Sequence, residues 1–187
     1  MFEDDTSPSW AMVWFLESFL SAPQTGDTAG VNINADLSAA CPPAALVAWV
    51  DDLTVYPQWM GLVHRAEALD DDALGRPTWN IELRARLGPF ARSKRLTMVR
   101  TQYGNIAQAG EADDWRVVFE RGEPDARKHS VWRLSVQLAA ASGGSRLEMN
   151  LHYGGGMWVG GLVGRALEDE IAASRERLLT LIGETTP

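Results

Sequence analysis

The chain has 187 residues, 45% of them apolar and 22% charged, a balance that suits one globular domain with a real core and excludes a disordered chain. A formal net charge of −8 argues against nucleic acid as a main partner, because phosphate binding needs clustered Lys and Arg, and against docking on anionic membranes. The single cysteine, Cys41, excludes an internal disulfide and a multi-cysteine metal site.

Residues 1–30 read as an extension, and 31–183 as the domain proper. Ser7-Pro8 is a helix start, with Ser7 as cap and Pro8 at the first helical position. The run 10–20 is apolar nearly all round, broken by Glu17 and Ser18. Glu3, Asp4 and Asp5 in front of it carry the wrong sign for a signal peptide, and the run falls well short of the ~20 residues that span a bilayer. It is expected to cover an apolar patch of its own domain, the alternative being contact with a partner or second subunit. Residues 23–30 then form a linker. With no export signal and a lone cysteine, the expected location is the cytoplasm, without stable membrane insertion.

In the domain, 31–37 alternates apolar and polar, with Val31, Ile33, Ala35 and Leu37 on one side, and predicts a first strand. Pro42-Pro43 opens a short helix over 44–53, and 54–62 is a tight second helical turn set by Pro57 and given bulk by Tyr56, Trp59 and Met60. A strand near 64–69 is followed by a hairpin turn at Asp70, Asp71, Asp72 and Gly75. After this the period is almost entirely two. Alternation predicts strands over 79–87, 91–103, 115–120, 132–138 and 147–153, with turns at Gly88-Pro89, Gly104-Asn105, 122–125 and 142–145. Such a meander, apolar on one face and polar on the other, is an antiparallel sheet of about seven strands covered on one side.

A glycine cluster, Gly154, Gly155, Gly156, Gly160, Gly161 and Gly164, leads into one long amphipathic helix over 157–182. Val163, Leu167, Ile171, Leu178 and Leu181 recur near the helical period, opposite Arg165, Glu168, Asp169, Arg175, Glu176 and Arg177. At 1.5 Å per residue this helix spans roughly 39 Å, enough to cross a whole sheet. Twisted strands curl, and one rod does not fill the concave side of a strongly curved sheet. An internal apolar cavity is therefore expected between sheet and helix, closed at one end by the short helices. Parity and period place Tyr56, Trp59, Trp79, Ile81, Leu83, Leu96, Met98, Phe119, Trp132, Leu134, Met149, Tyr153, Val163 and Leu167 around it. Eight tryptophans fit such walls.

The order of strand, two short helices, long antiparallel meander and terminal helix resembles the helix-grip fold of the START-like (SRPBCC) superfamily. Within it the chain is similar to the polyketide cyclase/dehydrase and coenzyme-Q-binding-like group. The resemblance rests on Val50-Asp51-Asp52, Tyr56-Pro57-Gln58-Trp59, the turn Leu87-Gly88-Pro89-Phe90, Phe119-Glu120-Arg121, Trp132 and the terminal helix, and covers 31–182. It implies an α+β fold and an apolar ligand such as a lipid, quinone, isoprenoid or polyketide. Some members of the group catalyse ring closure or dehydration; if this chain is an enzyme, the resemblance implies a cyclase or dehydratase, expected to work without a metal or nucleotide cofactor. Fold does not fix function.

The chemistry has to come from individual residues. His64, His129 and His152 form no HxxxH or HExxH pattern, so no metal or other cofactor is expected. A GxSxG elbow and a phosphate loop are both missing, and Cys41, ahead of two prolines, reads as packing. Gly156, Gly160 and Gly164 serve close approach of the helix start to the sheet. Parity points Arg100, Arg121 and Tyr153 inward, and a guanidinium and a phenol in an apolar cavity can polarise a carbonyl or hold an enolate. Two functions follow from the sequence: a binding module for an apolar small molecule, and a cyclase or aromatase using Arg100, Arg121 and Tyr153. A third, weaker one is an interaction accessory using the N-terminal helix.

Overall fold

The computed structural model describes residues 31–87, 90–106, 114–122, 130–154 and 161–185. The expectations for 1–30, for Gly88-Pro89, for 123–125 and for the helix start at 157–160 lie outside these residues.

Alternating apolar residues produce seven strands: β1 (Val31–Ala39), β2 (Val63–Leu69), β3 (Thr78–Leu87), β4 (Phe90–Asn105), β5 (Trp115–Arg121), β6 (Trp132–Ala141) and β7 (Gly144–Tyr153). All pairs are antiparallel in the order β1-β7-β6-β5-β4-β3-β2, so β2 to β7 form a plain meander and β1 is added on the edge of β7. Between β1 and β2 lie helix α1 (Pro43–Val50) and a 3-10 segment (Leu53–Gln58). Helix α2 (Gly161–Thr185) closes the chain. This is the α+β helix-grip arrangement that the order of elements predicts.

Local chemistry accounts for the boundaries. Pro43 takes the first position of α1, where its missing N–H costs nothing. The side chain of Asp52 accepts from the Thr54 amide at 2.9 Å and caps the 3-10 segment, so α1 stops at Val50 instead of running to residue 53. The β6–β7 hairpin turns on Ser142 and Gly143, with Gly143 at φ 81°. At Gly144 a Cβ would lie 2.0 Å from the Ala39 carbonyl oxygen, so the close pass of β1 over the hairpin demands glycine there. One predicted turn is corrected. Gly104 and Asn105 pair with Arg116 and Trp115, because the ladder to β5 carries β4 past the glycine. A bulge between Arg100 and Gln102 supplies the extra bend.

The interior has two parts. At the end capped by α1 and the 3-10 segment, aromatic rings pack solidly: Tyr56 lies 4.8 Å from Trp59 and 6.3 Å from Phe119, and Phe119 lies edge-on to Trp79 at 5.5 Å. Their polar tips are satisfied. The Tyr56 hydroxyl donates to the Val50 carbonyl at 2.9 Å, Trp59 Nε1 to the Trp49 carbonyl at 3.2 Å, and Trp79 Nε1 to Asp52 Oδ1 at 2.9 Å. The second part lies under α2, and it is not solid.

Candidate ligand cavity

Burial changes along α2. Leu178 and Ile182, in its last turns, are buried at 1% and 6% exposure, whereas Leu167 and Ile171, on the same inward stripe, are only half-buried. They face a cavity of about 610 Å³, well above any void that ordinary packing leaves and inside the range of small-molecule sites. Period two builds its floor from cross-strand pairs: Ile33 with Leu151, Ala35 with Met149 and Leu37 with Leu147 on β1 and β7, and Trp132 with Tyr153 and Leu134 with Leu151 on β6 and β7. Ile81, Leu83 and Met98 continue the floor. Leu53, Tyr56, Trp59 and Met60 form the end wall, and Ala166, Leu167, Ile171 and Leu178 form the roof.

Polar groups stand along the flanks, and most are already engaged. The Glu170 carboxylate accepts from the Gly61 amide and the Ser174 hydroxyl, each at 3.0 Å, and pairs with Arg177. Arg177 Nε donates to the Trp59 carbonyl at 2.8 Å. Together they staple α2 to the loop after the 3-10 segment. On the other flank Arg175 pairs with Asp36 of β1 at 3.2 Å, while its Nε is buried without a hydrogen-bond partner among the described residues.

The far end of the floor is different. The Trp132 and Tyr153 rings meet at 5.1 Å, and the Lys94 ammonium stands 5.8 and 6.0 Å from their centroids. Lys94 pairs across the sheet with the lining residue Leu83. Burial, and then the neighbouring Arg121 cation, hold its pKa below the ordinary lysine value. Arg121 pairs with the lining residue Met98.

Of the residues placed around the cavity from sequence, Tyr56, Trp59, Ile81, Leu83, Met98, Trp132, Leu134, Met149, Tyr153 and Leu167 line it. Trp79, Leu96 and Phe119 are buried but stand away from the lining, Trp79 and Phe119 being consumed by the aromatic cluster at the capped end. The side chain of Val163 lies outside the described residues. Arg100 also stands outside the lining. Its guanidinium donates to the Asp51 carbonyl at 3.0 Å, lies 3.8 Å from the Asp51 carboxylate and stacks 4.4 Å over Tyr103. Burial raises the Asp51 pKa and Arg100 partly offsets that rise. Of the three residues given a catalytic role from sequence, Tyr153 lines the cavity, whereas Arg100 and Arg121 stand outside the lining; Lys94, also outside it, lies 6.0 Å from the Tyr153 ring and beside Arg121. Lys94, which shares the parity of Leu96 and Met98, and the carboxylates of Asp36 and Glu170 are placed on or beside the cavity by the fold and not by any sequence motif.

Among the described residues no cluster of three or more His, Cys, Asp or Glu can hold a metal, and no helix is long and apolar enough to cross a membrane. No family model matches the chain, and no curated protein matches it. Solved structures do. A protein of Thermus thermophilus aligns with a TM-score of 0.60 at 14% identity over 84% of this chain and 100% of its own. A START superfamily protein from Mycobacterium smegmatis aligns at 0.57 and 14% identity over 84% and 100%. A STAR-related lipid transfer protein fragment from Xanthomonas axonopodis aligns at 0.58 and 15% identity over 81% and 85%. The chain has the START-like helix-grip fold. At these identities the START-like match describes architecture, and the use of the cavity has to be argued from its own walls.

Proposed function

We propose that this START-like protein binds an apolar small molecule, of the lipid, quinone, isoprenoid or polyketide kind, in the cavity between sheet and α2, and does so in the cytoplasm. The observation that carries this is the half-buried state of Leu167 and Ile171, which face open apolar space where a packed domain would bury them. Native mass spectrometry of protein purified from its host is expected to show a co-purifying apolar compound. An uncharged fluorescent probe such as N-phenylnaphthylamine is expected to enter at one equivalent. A chain that carries nothing and admits no probe would sink the proposal.

A second reading uses the same space for ring closure or dehydration of a poly-keto chain. It is favoured by the Tyr153 phenol, which lines the cavity at the end where Lys94 and Arg121 stand. Arg100, turned to Asp51, would then support the fold and not the reaction. Under this reading Tyr153→Phe and Arg121→Ala lose turnover and keep binding. If binding and turnover fall together in both variants, the cavity only binds.

A further inference from the structure

One half-buried cation, Lys94, stands against the Trp132 and Tyr153 rings that line one end of the ligand cavity. The protein carries 25 acidic residues against 17 Lys and Arg, and several of the described cations are paired with a carboxylate. Arg76 pairs with Asp72, Arg133 with Glu120, Arg175 with Asp36 and Arg177 with Glu170. Lys94 is half-buried on the concave face, and no carboxylate of the described residues pairs with it. Its charged neighbour is a second cation, Arg121. A partly desolvated ammonium without a carboxylate against it is electrostatically unfavourable until an anion joins it. The faces of Trp132 and Tyr153 compensate the charge in part, as a ring quadrupole does for a cation 5.8 to 6.0 Å away.

From this geometry we propose that the cavity takes an amphiphile with an anionic head, a long-chain carboxylic acid in the simplest case, and that Lys94 binds the head at the Trp132–Tyr153 end. The inference deepens the proposed function and rests on it. The tail then runs along the floor toward Leu147 and the end wall at Tyr56, where the lining is apolar. The reverse orientation would bring the head against the closed aromatic cluster of Tyr56 and Trp59. The four-carbon stem of lysine lets the ammonium follow heads of somewhat different depth. Selectivity would therefore fall on head charge more than on chain length.

The test is displacement of bound N-phenylnaphthylamine from the full chain by dodecanoic acid, 1-dodecanol and dodecylamine, which share a tail and differ in head. The acid is expected to compete at concentrations about tenfold below the alcohol, the size of one charge-assisted hydrogen bond, with the amine weakest. Lys94→Met is expected to erase the advantage of the acid and leave the alcohol unchanged, and Lys94→Arg to retain it. Equal competition by acid and alcohol in the unmodified chain overturns the inference while leaving the cavity reading standing. So does an acid advantage that survives Lys94→Met. A probe that never enters removes both.

Discussion

Replacing Ile171 by Trp separates an open interior from a packed one by the sign of the stability change. Ile171 sits on the inward stripe of α2, half-buried, with its side chain on the cavity. Ile and Trp have similar helix propensities, so the backbone contributes little to the difference. In a close-packed core the larger ring would force strained rotamers and cost about 1–3 kcal/mol. Over open space the ring instead removes roughly 50 Å² of additional apolar surface from water, stabilising the fold by about 1 kcal/mol. For a domain of this size those outcomes correspond to a melting temperature raised by roughly 2–4 °C or lowered by at least as much. The same ring occupies the space a guest needs, so probe affinity should fall at least about tenfold. Thermal unfolding by circular dichroism and a probe titration on one sample measure both. A destabilised variant with unchanged probe affinity would refute the reasoning, because the ring would then have met side chains where the structure has a void.

Other perturbations test neighbouring parts of the argument. Glu170→Ala removes the acceptor shared by Gly61, Ser174 and Arg177 and should cost about 1 kcal/mol, with faster hydrogen exchange at the Gly61 amide; unchanged exchange there would mean that the staple does not hold the loop. Tyr56→Phe leaves the buried Val50 carbonyl without its donor and should cost about 1–3 kcal/mol, read as a lowered melting temperature. Lys94 has a depressed folded-state pKa, so its charge opposes folding wherever it is protonated, and that cost disappears as pH rises past the ordinary lysine value. Lys94→Met should therefore raise the melting temperature at pH 7, by an amount that shrinks toward pH 11. A gain independent of pH would show that packing, not charge, is responsible.

The architecture was legible in the sequence because its signals are periodic. Alternation in 79–87, 132–138 and 147–153 marks strands whose faces the ladder respects, and the spacing of Leu167, Ile171 and Leu178 marks the inward stripe of α2. The site was legible only where a residue's role follows from its parity. Arg100 keeps the parity of Met98, opposite Phe119, but the carbonyl of Asp51, 49 residues earlier, decides where its guanidinium goes. Parity also does not say how far along a face the empty space extends. Trp79 and Phe119 share the concave side with Met98, yet the 3-10 segment fills the volume above them and leaves Met98 on the cavity. Lys94 shares the parity of Leu96 and Met98, but only the fold brings Trp132 and Tyr153 from two later strands against it.

The size of the void bears on whether it is incidental. Cavities left by truncating core side chains cost about 24 cal/mol per Å³, so 610 Å³ kept dry and sealed would cost on the order of 15 kcal/mol, as much as the whole stability of an ordinary domain. A space of this size is therefore not a sealed dry void, and its occupant is either water or a guest. Water is a poor occupant along most of the floor, where Leu134, Met149 and Leu151 offer it no hydrogen bonds. The chain also resists collapse from both sides. The aromatic cluster braces one end, and the ties from Glu170, Arg175 and Arg177 fix α2 at its distance from β1 and the Trp59–Gly61 loop. A roof fixed at that height over an apolar floor is the geometry on which the proposed binding of an apolar molecule rests.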